Sequence, residues 1–508
     1  MKRTFLLLAP LLAAALALAL AAQFWLRPHV EEQLRRSLAA PAFADGVATQ
    51  ARAREVVFSP FSRRVLARGL EMQALPPQGP VTCHIAEISL RLPWRALLAC
   101  TPLRGAILPQ SGMLPVAENV VLRNLRIRTP RSKTGVQRAE ISEIRAQSSL
   151  VAALLEGQGS LEPCSLLSRI SVAEARASFL NVDIPTVSRP EQIRVREVFA
   201  RNWHDRSLEE LTLANLEFRV ADREVLRLDA LSQHGILLPG KVLLRRFAEQ
   251  ATLPLPDRMA VEILAGEMFA TGEPLFRELR LHGLTVSTQA GPAELKELGL
   301  DWLSNTPLRS SLHVSGFALP LRLFTDASGF SLPGLDILRL DGKIIVEGQG
   351  KDAILKKTVI KAEGLGDLRC TLLTSGNTRG MNRREALLSQ SYSDFKLKYE
   401  DRGLMARLAL ATAPADMAVS AFKAGIAAIC ALDTPENRAI AAALETFVNR
   451  PGTLELTSLP GKSCRPGDVL DALRAGDAGA LVRVSAQAGD TTLDREMERL
   501  NAALKAQP

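Results

Sequence analysis

Aromatic residues are scarce in this 508-residue sequence: two Tyr, four Trp and 17 Phe, 5% in all. That scarcity argues against a single-stranded nucleic-acid binder, which needs planar side chains on which bases stack. Positive charge is not concentrated either. The net charge is +9, but Arg and Lys are spread along the whole chain beside acids, without the basic, aromatic-studded patch of a nucleic-acid site. A preference for anionic lipid headgroups is a better use of such a dispersed excess.

Catalytic motifs are also missing. The six histidines, His29, His84, His204, His234, His282 and His313, are widely scattered. There is no H-E-x-x-H, no G-x-S-x-G and no Walker loop. Ser393-Asp394-Phe395-Lys396 and Ser420-Ala421-Phe422-Lys423 match S-x-x-K, Ser375-Gly376-Asn377 matches S-x-N, and Lys133-Thr134-Gly135 matches K-T-G. Their order is reversed relative to penicillin-binding chemistry, and Lys133-Thr134-Gly135 reads as a hairpin turn, so chance explains the set. Gly348-Gln349-Gly350 lies between two strand-like runs and turns a hairpin. A dinucleotide loop would have to open a helix. No catalytic, cofactor-binding or metal-ligating residues are assigned, and the chain is read as a non-enzyme. A polar cleft gathering the scattered His, Asp and Glu residues would revive the enzyme reading.

Cysteines are few: Cys83, Cys100, Cys164, Cys370, Cys430 and Cys464. Their even number suits an oxidising compartment. Cys83 with Cys100 and Cys430 with Cys464 are the nearest pairs and the first disulfide candidates. Six buried thiols are the alternative.

Apolar residues, in contrast, make up 47% of the chain, which excludes global disorder. The length suits two or three domains or an elongated repeat. Phe5 to Leu26 carries no charge and follows Lys2 and Arg3. At about 1.5 Å per residue it spans a hydrocarbon core of roughly 30 Å, with Trp25 at its outer end. Ala19-Leu20-Ala21 offers a signal-peptide cleavage site, but the apolar run continues past it, which favours a retained anchor. Arg27, Arg35 and Arg36 lean slightly against the positive-inside rule. A long domain translocates largely regardless of charge, so the bulk is placed outside the cytoplasm.

Val30 to Leu38 reads as a short amphipathic helix at the membrane surface. Strands follow, with a recurring signature: alternating apolar residues, then Gly or Asn, then Leu and a further alternation. It runs Val65 to Met72 with Gly69, Val120 to Ile127 with Asn124, Leu211 to Phe218 with Asn215, Leu279 to Val286 with Gly283, and loosely Leu338 to Ile344 with Gly342. Period two buries one face and wets the other, and a Gly or Asn inside such a strand suits a bulge. Polar turns such as Ala221-Asp222-Arg223 make these strands a series of antiparallel hairpins. Short helices interrupt at Trp94 to Ala99, Ser149 to Leu155 and Leu243 to Gln250. After a polar linker near Asn377 come helices over Leu404 to Ala431, Pro435 to Val448, Pro466 to Ala475 and Leu493 to Leu504, with strands at Leu454 to Thr457 and Leu481 to Val484.

The expected fold is therefore mainly β: an elongated, curved antiparallel sheet of amphipathic hairpins with short interrupting helices. Its parts are an anchor over 1–27, a juxtamembrane helix and linker over 28–50, the β-rich region over 51–380 and a C-terminal α+β module over 381–508. Leu122, Leu211, Leu213, Leu281 and Leu340 are the candidate lipid-facing residues of the sheet.

Two segments, Phe58-Ser59-Pro60-Phe61-Ser62-Arg63-Arg64-Val65-Leu66-Ala67-Arg68-Gly69-Leu70 and Ile88-Ser89-Leu90-Arg91-Leu92-Pro93-Trp94-Arg95-Ala96-Leu97-Leu98, resemble the opening of the AsmA-like family of inner-membrane-anchored envelope proteins. The likeness is best over residues 1–130 and architectural to about 375. Tyr399 to Leu404 and Phe447 to Leu456 resemble a C-terminal segment of other anchored envelope proteins, which differs from the usual AsmA end. The resemblance implies a periplasmic protein whose apolar sheet face shields acyl chains, with a role in envelope lipid transport or outer-membrane biogenesis. Two other readings stand beside it: an adaptor whose C-terminal module docks an envelope partner, and an unrecognised periplasmic enzyme.

Overall fold

The computed structural model describes residues 22–39, 49–74, 79–99, 112–155, 168–185, 189–237, 276–305, 307–323, 331–349, 353–376, 390–412 and 415–506. Of these residues, 58% are strand and 24% helix, so the protein is mainly β, and its antiparallel sheet is not closed. The chain forms two compact units that divide near residues 272–278. That division falls inside the stretch 51–380.

The first unit contains strands β1 (Thr49–Ser59), β2 (Arg64–Ala74), β3 (Val81–Arg91), β4 (Met113–Arg128), β5 (Lys133–Gln147), β6 (Ile170–Ile184), β7 (Glu191–His204), β8 (Ser207–Val220) and β9 (Arg223–Leu237). Each pairs antiparallel with the next in sequence. The turns follow from local chemistry. Ala221 (φ 49°) and Asp222 (φ 63°) form a two-residue connection with both residues left-handed, the primed geometry that matches strand twist. The hydroxyl of Thr129 accepts from the amide of Ser132 at 2.9 Å and closes the β4–β5 turn.

The Gly/Asn signature marks a line of left-handed residues across which the strand register is kept, so these are not bulges. Gly69 (φ 59°), Asn124 (φ 51°) and Asn215 (φ 51°) are left-handed, and the ladders pass over each of them. A fourth member in β6 is Phe179 (φ 54°), a residue type the signature does not contain. The alternation changes phase across the left-handed residue: Ala67 and Leu70 are both buried although they stand three apart. A second set lies about half a strand away at Glu143 (φ 50°), Asn202 (φ 54°) and Gly235 (φ 61°).

Three helices accompany this unit: α1 (Arg27–Ala39), α2 (Trp94–Ala99) and α3 (Ser148–Leu155). A π-helical turn over Ala22–Leu26 leads into α1. The anchor segment before it lies outside the described residues, as does the helix expected at Leu243 to Gln250. No described helix is long and apolar enough to cross a membrane. The surface-helix expectation for Val30 to Leu38 needs correction. Leu26 and Val30 are buried against Val56, Phe58 and Val65, and Glu31 accepts the backbone N–H of Phe58 at 2.9 Å. The apolar face assigned to the membrane is held on the sheet instead, because β1 offers it a dry partner and an unpaired amide.

The second unit contains β10 (Glu278–Thr288), β11 (Gly291–Asn305), β12 (Leu308–Pro320), β13 (Ile337–Gln349), β14 (Ala353–Ala362), β15 (Gly366–Ser375), β16 (Ser391–Asp401), β17 (Thr453–Ser458) and β18 (Val482–Gln487), again antiparallel in sequence order. Gly283 (φ 65°) and Gly316 (φ 60°) are left-handed too, and Gly316 falls where the β12–β13 register shifts. Gly342 pairs with Val314 and Ile360, and the β12–β13 register shifts beside it, between Val314 and Phe317, so the loose fifth copy of the signature lies opposite an irregularity of β12. The residues beyond 380 add three strands to the same ladder, because β16 pairs with both β15 and β17.

Helices α4 (Leu404–Thr412), α5 (Ala415–Ile429), α6 (Pro435–Asn449), α7 (Pro466–Arg474) and α8 (Leu493–Lys505) accompany β16 to β18. Asp401 starts α4 by accepting the N–H groups of Gly403 (3.0 Å) and Met405 (3.1 Å), an N-terminal cap. Thr434 caps α6, with Pro435 in its first turn. Asn437 is 1% exposed and fully paired: its amide donates to the carbonyls of Leu432 (2.9 Å) and Gly476 (3.1 Å), and its oxygen accepts from Gly479 (2.6 Å).

Candidate functional site: an apolar sheet face

Directly opposed residues in an antiparallel ladder share a face. In the first unit one such row runs Val56, Ala67, Ile88, Leu122, Ala139, Ala177, Val198, Leu213, Leu231. All nine are apolar. The next row runs Phe58, Val65, Leu90, Val120, Ile141, Ala175, Ala200, Leu211 and ends on Gln233. The row between them is mixed, Val57, Leu66, Ser89, Val121, Glu140, Arg176, Phe199, Thr212 and Ser232, and the row on the other side of Val56 is charged at its start: Glu55, Arg68, Glu87, Arg123 and Arg138, with Arg68 3.2 Å from Glu55 and Arg123 3.5 Å from Glu87. One face is thus apolar along these rows up to Gln233, and the other carries the ion pairs, with Val57, Leu66, Val121 and Phe199 among them. The exposed ion pairs add little stability, so the ionic face keeps one side wet and fixes which side is dry.

The sequence candidates fall on the apolar face. Leu122 and Leu213 share the first row and Leu211 lies in the second. In the second unit Leu281 opens the row Leu281, Leu298, Val314, Gly342, Ile360, Leu368, Tyr399, Leu454, Ala486. Leu340 stands between Phe317 and Ala362, one row over. All five leucines are half-buried.

Coverage of the face is uneven within each unit. In the first, α1 and α2 seal its start: Phe58 and Val65 are each 1% exposed and Leu97 is fully buried. From β5 to β9 the same rows are mostly half-exposed. In the second, the helices after residue 403 pack on Tyr399, Leu454 and Ala486, while Leu281 to Leu368 of that row stay half-exposed.

The face also contains a recess that the sequence reading missed. Ile141, Ile170, Val172, Ala175, Ala200, Trp203 and Leu208 enclose approximately 290 Å³, and every lining residue is apolar. The available signal was the alternation of small and charged residues in Ala173-Glu174-Ala175-Arg176-Ala177.

The cysteines do not act as staples among the described residues. Cys83, Cys370, Cys430 and Cys464 are free thiols, which corrects the Cys430–Cys464 pairing. Cys464 exchanges backbone hydrogen bonds with Tyr392, and Cys430 is at the end of α5, its N–H bonded to Ile426. Cys83 stands beside Ile127, and Cys370 between Thr358 and Leu397, so both serve as small hydrophobes on the apolar face. Burial pushes both thiols up. Cys100 lies outside the described residues.

The motif fragments acquire structural roles. Ser393 to Lys396 lies within β16 and Ser420 to Lys423 within α5. Lys133 opens β5, just after its turn. Gln349 pairs with Ala353 across a short hairpin connection. Tyr399 donates to Asp401 (2.8 Å) and to the carbonyl of Leu365 (2.7 Å), so Tyr399 to Leu404 forms a strand-to-helix joint. A Cβ on Gly452 would meet the carbonyl oxygen of Gln487 at 2.4 Å, so Pro451-Gly452 is dictated by close backbone approach. No group of three His, Cys, Asp or Glu able to hold a metal occurs among the described residues.

No protein-family model matches the chain, and no curated protein matches it.

Proposed function

We propose that this is an AsmA-like, membrane-anchored envelope protein that carries acyl chains along the apolar face of an elongated, curved sheet. Its single N-terminal anchor is placed in the inner membrane and its bulk in the periplasm. One observation supports the reading most: among the described residues the apolar rows continue across β5 to β9 and β10 to β15 mostly half-exposed, while helices pack on the first strands of one unit, on the Ala146 end of β5 and on the last strands of the other unit. An exposed aliphatic surface of this extent is unfavourable in water and calls for a hydrocarbon occupant. Gentle purification of the full chain followed by lipid mass spectrometry tests the proposal. Co-purifying phospholipid or fatty acid is expected, and lipid-free protein overturns it. A reporter fused at Pro508 that is active only in the cytoplasm overturns the placement.

A second reading has its own observation. Helix α7 has no buried residue, with Leu470 55% and Leu473 40% exposed, as an adaptor surface would require. Removing residues 381–508 would cut three strands from the sheet. The adaptor test is therefore crosslinking in cells of Leu470→Ser/Leu473→Ser against the unaltered chain, and an unchanged partner set counts against it.

A further inference from the structure

We infer that the recess on β5 to β8 is a seat for one unbranched fatty acyl chain, and that Trp203 is its side wall. The inference rests on the acyl-carrying reading and names a particular place for the chain. Ala175 and Ala200 are directly opposed on β6 and β7, so two methyl groups make a low floor. Ile141 on one side and Trp203 with Leu208 on the other rise above it. Ile170 closes one end, where it packs on the buried Leu150 of α3. The space of approximately 290 Å³ is about twice that of a dry apolar cavity known to hold a benzene-sized guest, enough for a run of methylenes.

The lining chooses among occupants. The indole N–H of Trp203 is the one polar side-chain group among the lining residues. An extended peptide laid there would bury N–H and C=O groups that one indole N–H cannot satisfy. A whole helix, about 10 Å across, is too wide for the slot. A hydrocarbon chain has no such groups and matches the width of two alanine positions.

The test uses Trp203 as the reporter. Full-length protein in phosphatidylcholine nanodiscs is titrated with dibromostearate, whose bromines quench nearby indoles, with stearate as the blank. Saturable quenching is expected, and its Trp203 share disappears in W203F. Ala175→Leu and Ala200→Leu raise the floor by two or three methylenes and are expected to weaken that share roughly tenfold or more, with an unchanged circular dichroism spectrum. Quenching that is the same in W203F, or unaltered in both leucine variants, overturns the seat. If the leucine variants do not fold, competition decides: stearate should displace dibromostearate far better than octanoate, and equal displacement overturns the seat. A photoreactive residue at position 200 that crosslinks to protein in place of fatty acid also overturns it. Lipid that co-purifies without Trp203-dependent quenching removes the seat and leaves the wider proposal. Trp203-dependent quenching without co-purifying lipid does the reverse.

Discussion

Left-handed residues line up across the strands, and their side chains differ in how well they tolerate that conformation. Gly69 does so freely, and a Cβ there would meet that of Arg54 at 3.2 Å. Phe179 holds φ 54° with its ring 58% exposed, a conformation that costs a side-chain-bearing residue about 1–2 kcal/mol. Phe179→Gly should therefore raise stability by about 1 kcal/mol and Gly69→Val lower it by more, both read from urea midpoints at constant m. Asn437→Ala should cost about 1–3 kcal/mol, since it leaves the buried amide of Gly479 unpaired and takes one of two donors from the carbonyls of Leu432 and Gly476. Exposure sets a further contrast. Phe58→Ala, in the sealed part of the face, should cost about 3–5 kcal/mol, whereas Leu213→Ala, half-exposed, should cost about 1 kcal/mol. Equal losses would mean that the face is closed over.

At the scale of elements, the sequence was explicit about strands and helices because their periods differ. Trp94 to Ala99, Pro435 to Val448 and Leu493 to Leu504 were all readable from helical periodicity and caps. The partner of an amphipathic helix was not readable, because an apolar stripe is the same against lipid or protein. Helix α1 shows this: Glu31 bonds the amide of Phe58, and Arg27 holds Glu31 at 2.9 Å. Glu31→Ala should loosen α1 from β1 and raise hydrogen exchange at Phe58, with little change beyond β4. Helix α8 carries a pH dependence. Burial pushes the Glu496 carboxyl up, the Thr491 hydroxyl at 2.5 Å pulls it back, Asp401 adds to the rise and Arg499 opposes it. One Glu496 oxygen is buried without a hydrogen-bond partner. A raised carboxyl contributes stability below its unfolded pKa and loses it as pH rises through the folded value. The helical layer should therefore melt earlier at pH 7 than at pH 5, and Glu496→Gln should abolish that difference in thermal scans.

At the scale of the whole molecule, the proposed function rests on one face. Leu122→Asp and Leu213→Asp place charges in the same row, and each should lower co-purifying lipid severalfold while the circular dichroism spectrum is retained. Arg123→Asp, on the ionic face, should leave lipid unchanged. Composition and alternation alone determined that the chain is mainly β, that its strands have one dry face, and that Leu122, Leu211, Leu213, Leu281 and Leu340 lie on it. They did so because a period of two is a local property of the chain. Three things were left to tertiary structure. The left-handed backbone at Phe179 had no sequence mark. The strands beyond residue 380 joined a ladder instead of forming a separate module. The recess at Trp203 exists because Ala175 and Ala200, far apart in sequence, meet in register. Pairing across strands is non-local, and only the folded ladder fixes which residues stand side by side.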